Sequence, residues 1–176
     1  MSVTRSVFDT RWFSVVERAQ GDAEPYYMLE LPDYVSVVAV TPSHEIVLVR
    51  QFRPVVERET LELPSGHVEE GETPEEAARR ELLEETAFVA TRFELLGTLV
   101  PDFGRLANRM WCYFAEDVRP CREPREREAG VDVVVLPERE ALQHAADGGI
   151  DHALNLAVLY LAMSSGKLSW TRRKTV

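Results

Sequence analysis

The sequence predicts an α+β protein that is rich in strands. Its 176 residues suffice for one domain with its own core, and 45% of them are apolar, as in ordinary globular proteins. Short apolar or alternating runs, which are typical of strands, occupy most of the first two thirds of the chain. One helical pattern lies among these strands and two more follow at the end of the chain. This mixture of strands and helices indicates the α+β class.

The first part of the chain is predicted to consist of strands. Residues 7–18 and 25–31 form two strands separated by the turn sequence QGDAE. Residues 35–40 and 45–50 are short apolar runs on either side of TPSH, which indicates a hairpin. Residues 59–64 alternate between polar and apolar side chains until a Ser-Gly pair interrupts the alternation, so they are predicted to form a further strand.

A helix is predicted over residues 73–86, with clear signals at its beginning. Thr73 can cap the helix, Pro74 suits the first helical position, and Glu76 completes a capping box. The rest of the chain is predicted to form three strands, a polar loop and two helices: strands 93–100, 109–116 and 131–136, loop 117–130, a helix from Pro137 to Gly148-Gly149, and a helix over 152–165 that stops at Gly166.

Charge and composition exclude several classes of function. A net charge of −10, from 30 acidic and 20 basic side chains, disfavours binding to a phosphate backbone, so we expect no nucleic-acid partner. No apolar run is long enough to cross a bilayer, and the first residues lack the apolar segment of a signal peptide. Cys112 and Cys121 fit no disulfide framework and no zinc pattern. We therefore expect a cytoplasmic protein with no membrane partner.

Most of the negative charge lies in one segment. Residues 57–85 hold eleven Glu and three Arg, so they carry −8 of the total of −10. A block of like charge is usually a solvated surface. Here, turn and helix signals are interleaved with the charges, which indicates that the segment is folded.

Three carboxylates crowd one face of the predicted helix 73–86. Glu81, Glu84 and Glu85 fall within an arc of about 100°, and like charges at this spacing cost roughly 0.2–0.5 kcal/mol per pair. Arg80 can relieve Glu84 but is predicted to lie outside the arc of Glu81 and Glu85. A divalent cation would remove the conflict, and carboxylate oxygens favour Mg²⁺ or Mn²⁺ over zinc. The alternative that the spacing leaves open is a solvated acidic helix face.

A longer motif surrounds these glutamates. Gly66 is followed after five residues by Glu72, and after seven more by the run 80–85, RELLEE. This spacing matches the box GX5EX7REUXEEXGU, in which U is apolar, so the sequence resembles the Nudix hydrolase family. Phe88 fills the last apolar position, but Ala87 stands where the box has its final Gly. That Gly often ends a helix in the left-handed conformation, where Ala costs about 1 kcal/mol.

The resemblance extends beyond the box to ADP-ribose and nucleotide-sugar pyrophosphatases. Residues 48–66 resemble the segment before the box in these enzymes, and residues 131–162 resemble their last strand and two helices. This implies an α/β/α Nudix sandwich with a mixed β-sheet over residues 35–176. It also implies a small N-terminal antiparallel β-lobe, residues 1–34, that forms a homodimer and completes the partner's active site.

The resemblance also implies a metal centre at the box. Two or three Mg²⁺ or Mn²⁺ ions would lie between protein and substrate phosphate oxygens, activating water and stabilising charge. Glu81 and Glu85 are then catalytic residues and principal ligands, and Glu84 and the carbonyl of Ser65 are further ligands. The residues implied to support these ligands are the first box residue Gly66, the loop-orienting Glu72, and Arg80, which fixes the glutamates by a salt bridge.

Four further residues are candidates for substrate binding. Arg53 is a candidate clamp on a phosphate, because guanidinium suits phosphate oxygens, with an ordinary strand charge as the alternative. Glu62 is a candidate for contact with substrate or metal through water. Arg109 stands in a segment where these pyrophosphatases more usually have other residues. This hints that the sugar part of the substrate differs from that of ADP-ribose. Trp12 is a candidate for stacking on a base in the partner subunit, with packing in the lobe or core as the alternative.

The general base is implied to lie outside the box, in the loop before the last strand. Glu128 and Glu126 are the nearest acids to the position that the resemblance indicates, and Glu128 is slightly preferred. The alternative is that both are surface charges on a loop of mixed charge.

The predicted function is metal-dependent hydrolysis of the diphosphate of ADP-ribose or another NDP-sugar. The products would be a nucleoside monophosphate and a sugar phosphate. The same box also allows hydrolysis of another nucleoside diphosphate derivative, such as a dinucleoside polyphosphate or a coenzyme. A Nudix sensor that binds ADP-ribose without cleaving it usually lacks box carboxylates, whereas all are present here. An acidic interaction domain would require the motif to be a coincidence.

Overall fold

The computed structural model describes residues 4–122 and 128–170. This part of the chain forms twelve strands and three helices. The strands are β1 Thr4–Asp9, β2 Ser14–Gln20, β3 Ala23–Glu30, β4 Tyr34–Val40, β5 Glu45–Arg53, β6 Arg58–Glu62, β7 Ser65–His67, β8 Phe88–Val89, β9 Arg92–Leu99, β10 Met110–Glu116, β11 Arg119–Pro120 and β12 Val131–Pro137. The helices are α1 Pro74–Thr86, α2 Glu138–Ala146 and α3 Ala153–Ser164.

A mixed sheet forms the centre of the fold. Its strand order is β12-β5-β4-β10-β9, with β6 also paired to β5 and β7 to β4. Strands β4 and β10 run parallel, with Tyr34 opposite Met110 and Val40 opposite Glu116, whereas the other pairs are antiparallel. The pair of β4 and β7 matters most for function, because it places Ser65 and Gly66 beside the first residues of β4.

Helices cover both faces of this sheet. Successive residues of β4 point to opposite faces, so Val37 packs with α1 while Val38 packs with α2 and α3. The α1 side is filled by small residues and one leucine of the helix, Ala77, Ala78 and Leu82, all fully buried. The α/β/α sandwich predicted from the resemblance is therefore confirmed, as are the three predicted helices. In the described part of the chain, no helix is long and apolar enough to cross a membrane.

The N-terminal strands form a separate three-stranded antiparallel sheet, β1-β2-β3. The prediction of a single strand over residues 7–18 was wrong, because a turn separates β1 from β2. The hydroxyl oxygen of Thr10 accepts hydrogen bonds from the backbone N–H groups of Trp12 and Phe13, at 3.0 and 2.9 Å. This local side-chain bonding offers the backbone an alternative to the strand ladder.

The predicted loop 117–130 was also partly wrong. Its beginning contains β11, which pairs with the short strand β8 just after α1. The N–H of Cys121 donates to the carbonyl of Ala87 at 2.7 Å, so this pairing is tied to the end of the helix. Helix α2 begins at Glu138, one residue later than predicted, with Pro137 as its N-cap. The N–H of Glu138 donates to the carbonyl of His44.

Candidate active site

Helix α1 carries the box glutamates and begins as predicted. The hydroxyl of Thr73 accepts from the N–H of Glu76, and the Glu76 carboxylate accepts from the N–H of Thr73, so the capping box is complete. Pro74 is the first helical residue. Because this start fixes the rotation of the helix, it decides which glutamates face the sheet.

The three glutamates of the predicted arc occupy different environments. Glu85 is buried, with 4% of its surface exposed, and lies under the β7 strand. Glu81 is mostly buried, with 12% of its side chain exposed, whereas 55% of the Glu84 side chain is exposed. The alternative of a fully solvated acidic face is therefore wrong, because two of the three carboxylates are inside the protein.

The backbone of β7 forms one wall of this acidic site. The N–H of Ser65 donates to Oε2 of Glu85 at 2.9 Å. A Cβ atom on Gly66 would lie 2.0 to 2.4 Å from the carboxylate atoms of Glu81, which is far inside van der Waals contact. A side chain at position 66 would therefore displace the Glu81 carboxylate from its present position, which is a physical reason for glycine at the start of the motif.

Burial disfavours the ionised forms of Glu81 and Glu85. Burial raises the pKa of Glu85 to about 8, and the charges of Glu81 and Glu128 add to that effect against the hydrogen bond from Ser65. Burial also raises the pKa of Glu81, although its ion pair with Arg80 opposes the change. A group that adds positive charge here would favour the ionised forms of both side chains.

The side chain of Arg80 joins the segment between β7 and α1 to the box glutamates of the helix. Its Nε and Nη2 donate to the two oxygens of Glu72, both at 2.9 Å, and Nη2 also donates to the carbonyl of His67 at 2.8 Å. Its Nη1 donates to Glu81 at 2.7 Å and to Glu84 at 3.2 Å. Arg80 is predicted to lie outside the arc of Glu81 and Glu85, but its long side chain turns back toward Glu81 and forms the kind of salt bridge that the resemblance implies. The hydrogen bonds from Arg80 lower the pKa of Glu72.

Arg53 and Glu62 form a second ion pair at the edge of the site. Two hydrogen bonds, of 2.8 and 2.7 Å, join the guanidinium to both oxygens of Glu62. The hydrogen bonds to Glu62 raise the pKa of Arg53, and the charges of Glu85 and Glu128 contribute as well against the effect of burial. Arg53 is therefore near the acidic centre, and 45% of its side chain remains exposed.

The loop before β12 brings one of the two candidate bases to the site. The backbone N–H of Glu128 donates to the carbonyl of Glu84 at 3.1 Å, so the loop rests on the end of α1. Glu128 is exposed, and its charge contributes to the raised pKa of both Glu81 and Glu85. Glu126 lies outside the described residues.

The structure does not bring the other two predicted substrate residues to these carboxylates. Arg109 is exposed, and its backbone N–H donates to Asp33 at 2.7 Å; within the described ranges no ion pair joins its side chain to the acidic site. Trp12 is 58% exposed, with the guanidinium of Arg11 stacked 4.2 Å from its ring centre. A core position for Trp12 is therefore wrong, whereas its stacking on a base in a partner subunit stays a prediction.

Sequence reasoning missed two residues that position the site. The side-chain oxygen of buried Asn155 accepts from the N–H of Leu63 at 2.9 Å, which ties α3 to the segment just before β7. Asp33 accepts from Arg109 and Trp111 through its carboxylate and from Val68 through its carbonyl, so it joins the starts of β4 and β10 to the end of β7. Asn155 could have been noticed as a polar residue in an otherwise apolar helix.

The donor groups at this site fit a hard divalent cation. Glu81, Glu85 and Glu84 offer carboxylate oxygens, the ligands that Mg²⁺ and Mn²⁺ prefer, and their mutual repulsion would fall on binding. Within residues 4–122 and 128–170, no group of three or more His, Cys, Asp or Glu side chains is already arranged around one metal position. The present partners explain this, because Glu81 turns to Arg80 and Glu85 to the N–H of Ser65. Metal binding would exchange these partners.

The box glutamates of α1 against β7, together with the family and the relatives reported next, identify a pyrophosphohydrolase. The chain belongs to the Nudix family, since the family model described as NUDIX domain matches residues 30–156. A crystal structure of an ADP compounds hydrolase superposes with a TM-score of 0.76 over 94% of this chain and 92% of that one. At 22% identity, this likeness concerns the fold.

Curated relatives cover most of the chain. An ADP-ribose pyrophosphatase of Bacillus subtilis is 33% identical over 130 residues, 73% of this chain and 70% of the relative. A methanol dehydrogenase activator of Bacillus methanolicus is 32% identical over 155 residues, 84% of this chain and 82% of the relative. An ADP-sugar pyrophosphatase of Mus musculus is 38% identical over 122 residues, 62% of this chain and 55% of the relative.

Proposed function

We propose that this protein hydrolyses the diphosphate bond of ADP-ribose or a related ADP-sugar in a reaction that depends on Mg²⁺ or Mn²⁺. The observation that carries the proposal is the burial of the Glu81 and Glu85 carboxylates against β7, with the Glu128 backbone hydrogen-bonded to the end of the same helix. The relative from Bacillus methanolicus is named as a methanol dehydrogenase activator, whereas those from Bacillus subtilis and mouse are named as pyrophosphatases of ADP-ribose and of ADP-sugars. The names of these two pyrophosphatases share an ADP-linked sugar as the substrate. A non-hydrolytic sensor is not favoured, because every carboxylate of the box is present.

The metal would be held by Glu81, Glu85, Glu84 and the carbonyl of Ser65. When bound, it supplies positive charge that neutralises the diphosphate and lowers the pKa of a water molecule. Arg53 binds and orients a phosphate group through its guanidinium. Arg80 and Glu72 fix the position of Glu81.

Glu128 is proposed as the group that accepts the proton of the attacking water. Attack on phosphorus forms one P–O bond and breaks the anhydride P–O bond, so ADP-ribose and water give AMP and ribose 5-phosphate. The hydrogen bond from the backbone N–H of Glu128 to the carbonyl of Glu84 supports this choice, because it holds the exposed Glu128 at the end of the helix that carries the box. Glu126, the other candidate base, is tested by the same kind of substitution.

The test is hydrolysis of ADP-ribose and a panel of NDP-sugars with Mg²⁺ or Mn²⁺. Glu81→Gln and Glu85→Gln are each expected to lower kcat/KM on the order of 100-fold, because a metal contributes several kcal/mol to catalysis. Glu75→Gln is the matched control, since Glu75 lies on the same helix and pairs with Arg79 at the surface. An inactive wild type, or unchanged rates in both variants, would reject the proposal. Added Mg²⁺ should raise the Tm of the wild type but not of Glu85→Gln.

We further propose that residues 1–34 mediate a homodimer. The β1–β3 sheet has one buried hydrophobic residue among its described residues, Val16, and it exposes Phe8, Trp12 and Tyr27. A second copy that covers this surface would remove a large apolar patch from water. Light scattering of the wild type and of Phe8→Ser tests this: we expect a dimer that the substitution weakens. A monomeric wild type at micromolar concentration would reject it.

A cytoplasmic location is also proposed. Cys112 and Cys121 are both free, as expected in a reducing compartment. Fractionation of cells that produce the protein would test this assignment, and recovery outside the cytoplasm would reject it.

A further inference from the structure

A cavity of about 330 Å³ lies beside the candidate active site. Its walls are the tip of the β5–β6 hairpin, with Val55 and Val56, and the start of α3, with His152 and Ala153. Small-molecule sites usually span about 300–1,000 Å³, so this volume is at the lower limit. The cavity therefore suits one part of a nucleotide derivative and not the whole molecule.

The cavity shares two residues with the acidic site. Arg53 and Glu62 line it, and two hydrogen bonds join their side chains. Glu62 ends β6 just before Ser65 of β7, whose N–H donates to Glu85, so the ion pair and the acidic site are neighbours. A diphosphate held by Arg53 would therefore have one of its two substituents at the mouth of this cavity.

The chemistry of the walls favours a sugar over a nucleobase. The aliphatic side chains of Val55, Val56 and Ala153 form the apolar part. The polar part is an ion pair in which Nη2 of Arg58 donates to Oδ2 of Asp151, and a carboxylate has capacity for further bonds from hydroxyl groups. No Phe, Tyr or Trp is among the described residues that line the cavity. His152 is the one ring among the described lining residues, so the cavity offers less surface for stacking a nucleobase than polar groups for binding sugar hydroxyls.

We propose that this cavity binds the sugar on the outer phosphate of the substrate, with Asp151 accepting hydrogen bonds from the sugar hydroxyls. The proposal rests on the hydrolysis of ADP-sugars proposed above and assigns the selection of the sugar to this cavity. The hairpin tip would then set how large a sugar enters, and the Arg58–Asp151 pair would fix its orientation.

The experiment compares ADP-ribose with the methyl ester of ADP, in which a methyl group replaces the sugar on the outer phosphate. Both contain the same anhydride and release AMP. Ala153→Leu narrows the cavity and Asp151→Asn removes the charge of the acceptor. The matched controls are Ala146→Leu and Asp147→Asn, which are exposed at the end of α2 and outside the cavity lining.

For ADP-ribose, kcat/KM is expected to fall about tenfold in both cavity variants. Asp151→Asn weakens hydrogen bonds to a charged group, and Ala153→Leu fills space that the sugar would occupy. The methyl ester should change by less than about twofold, measured as kcat/KM or, if it is not cleaved, as a Ki against ADP-ribose. The controls should change neither value. The Tm of every variant is measured to confirm that it folds.

A second readout uses the size of the sugar. Ala153→Leu should lower the rate for ADP-glucose more than for ADP-ribose, because a hexose is larger than a pentose. Equal losses for the methyl ester and ADP-ribose, or no loss for either, would overturn the sugar site while leaving the proposed hydrolysis intact. A wild type that hydrolyses no ADP-sugar would reject the proposed function itself, and the sugar site with it.

Discussion

Replacement of Ala87 by glycine is expected to stabilise the protein. Ala87 caps α1 in the left-handed conformation, with φ of 58°, and two hydrogen bonds hold it there: its N–H donates to Leu83 at 2.8 Å and its carbonyl accepts from Cys121 at 2.7 Å. For a residue with a Cβ atom, this conformation costs roughly 1–2 kcal/mol. Glycine avoids that cost but loses roughly 0.4–1 kcal/mol through the greater freedom of the unfolded chain.

The net gain is therefore about 0.5–1 kcal/mol. In a domain of this length, 1 kcal/mol shifts Tm by about 2–4 °C, so Ala87→Gly should raise Tm by about 1–4 °C in calorimetry. Ala146→Gly is the matched control, because Ala146 is the last residue of α2 and has an ordinary helical conformation. That control should lower the stability by up to about 1 kcal/mol. If both substitutions lower Tm equally, the left-handed cap is refuted.

Three further substitutions test the supports of the site. Glu72→Gln should lower Tm near neutral pH, because a carboxyl of lowered pKa stabilises the fold only while it is ionised. The difference in Tm between wild type and variant should vanish well below pH 4.5. Thermal unfolding followed by circular dichroism across pH checks this, and a difference that stays constant with pH refutes it. Asn155→Ala leaves the N–H of Leu63 unpaired and should cost about 1–3 kcal/mol in urea unfolding, whereas no loss contradicts the bond. Arg80→Lys should lower kcat about tenfold, since it cannot span Glu72 and Glu81; unchanged kcat contradicts that role.

The parts of the fold with local causes could be predicted from the sequence. The start of α1 follows from Thr73, Pro74 and Glu76, which are within four positions of one another. The split between β1 and β2 was missed, because nothing in the apolar pattern shows that the Thr10 hydroxyl captures two backbone N–H groups. The small strand β11 was missed as well, because its pairing with β8 depends on two segments about 30 residues apart.

The same distinction applies to the site. The spacing of the box placed Glu81, Glu84 and Glu85 on one arc of the helix, but it could not show which of them are buried. It also could not show that Arg80 turns toward Glu81, since neighbouring residues on a helix do not face each other. Asn155 contacts Leu63 across 92 positions of sequence. Such a long-range hydrogen bond depends on the packing of α3 against the sheet, which no local pattern encodes.

The parallel pairing of β4 with β10 has a consequence for how the chain reaches its native state. Each residue of β4 meets a partner 76 positions later, as Tyr34 does with Met110. Contacts of such high sequence separation slow folding, since a long loop must close before they form. During synthesis, the acidic helix will be complete long before the strand that finishes its supporting surface leaves the ribosome. The nascent chain therefore carries exposed Ala77, Ala78 and Leu82 through that interval, which makes early chaperone contact at α1 a physical expectation of the topology.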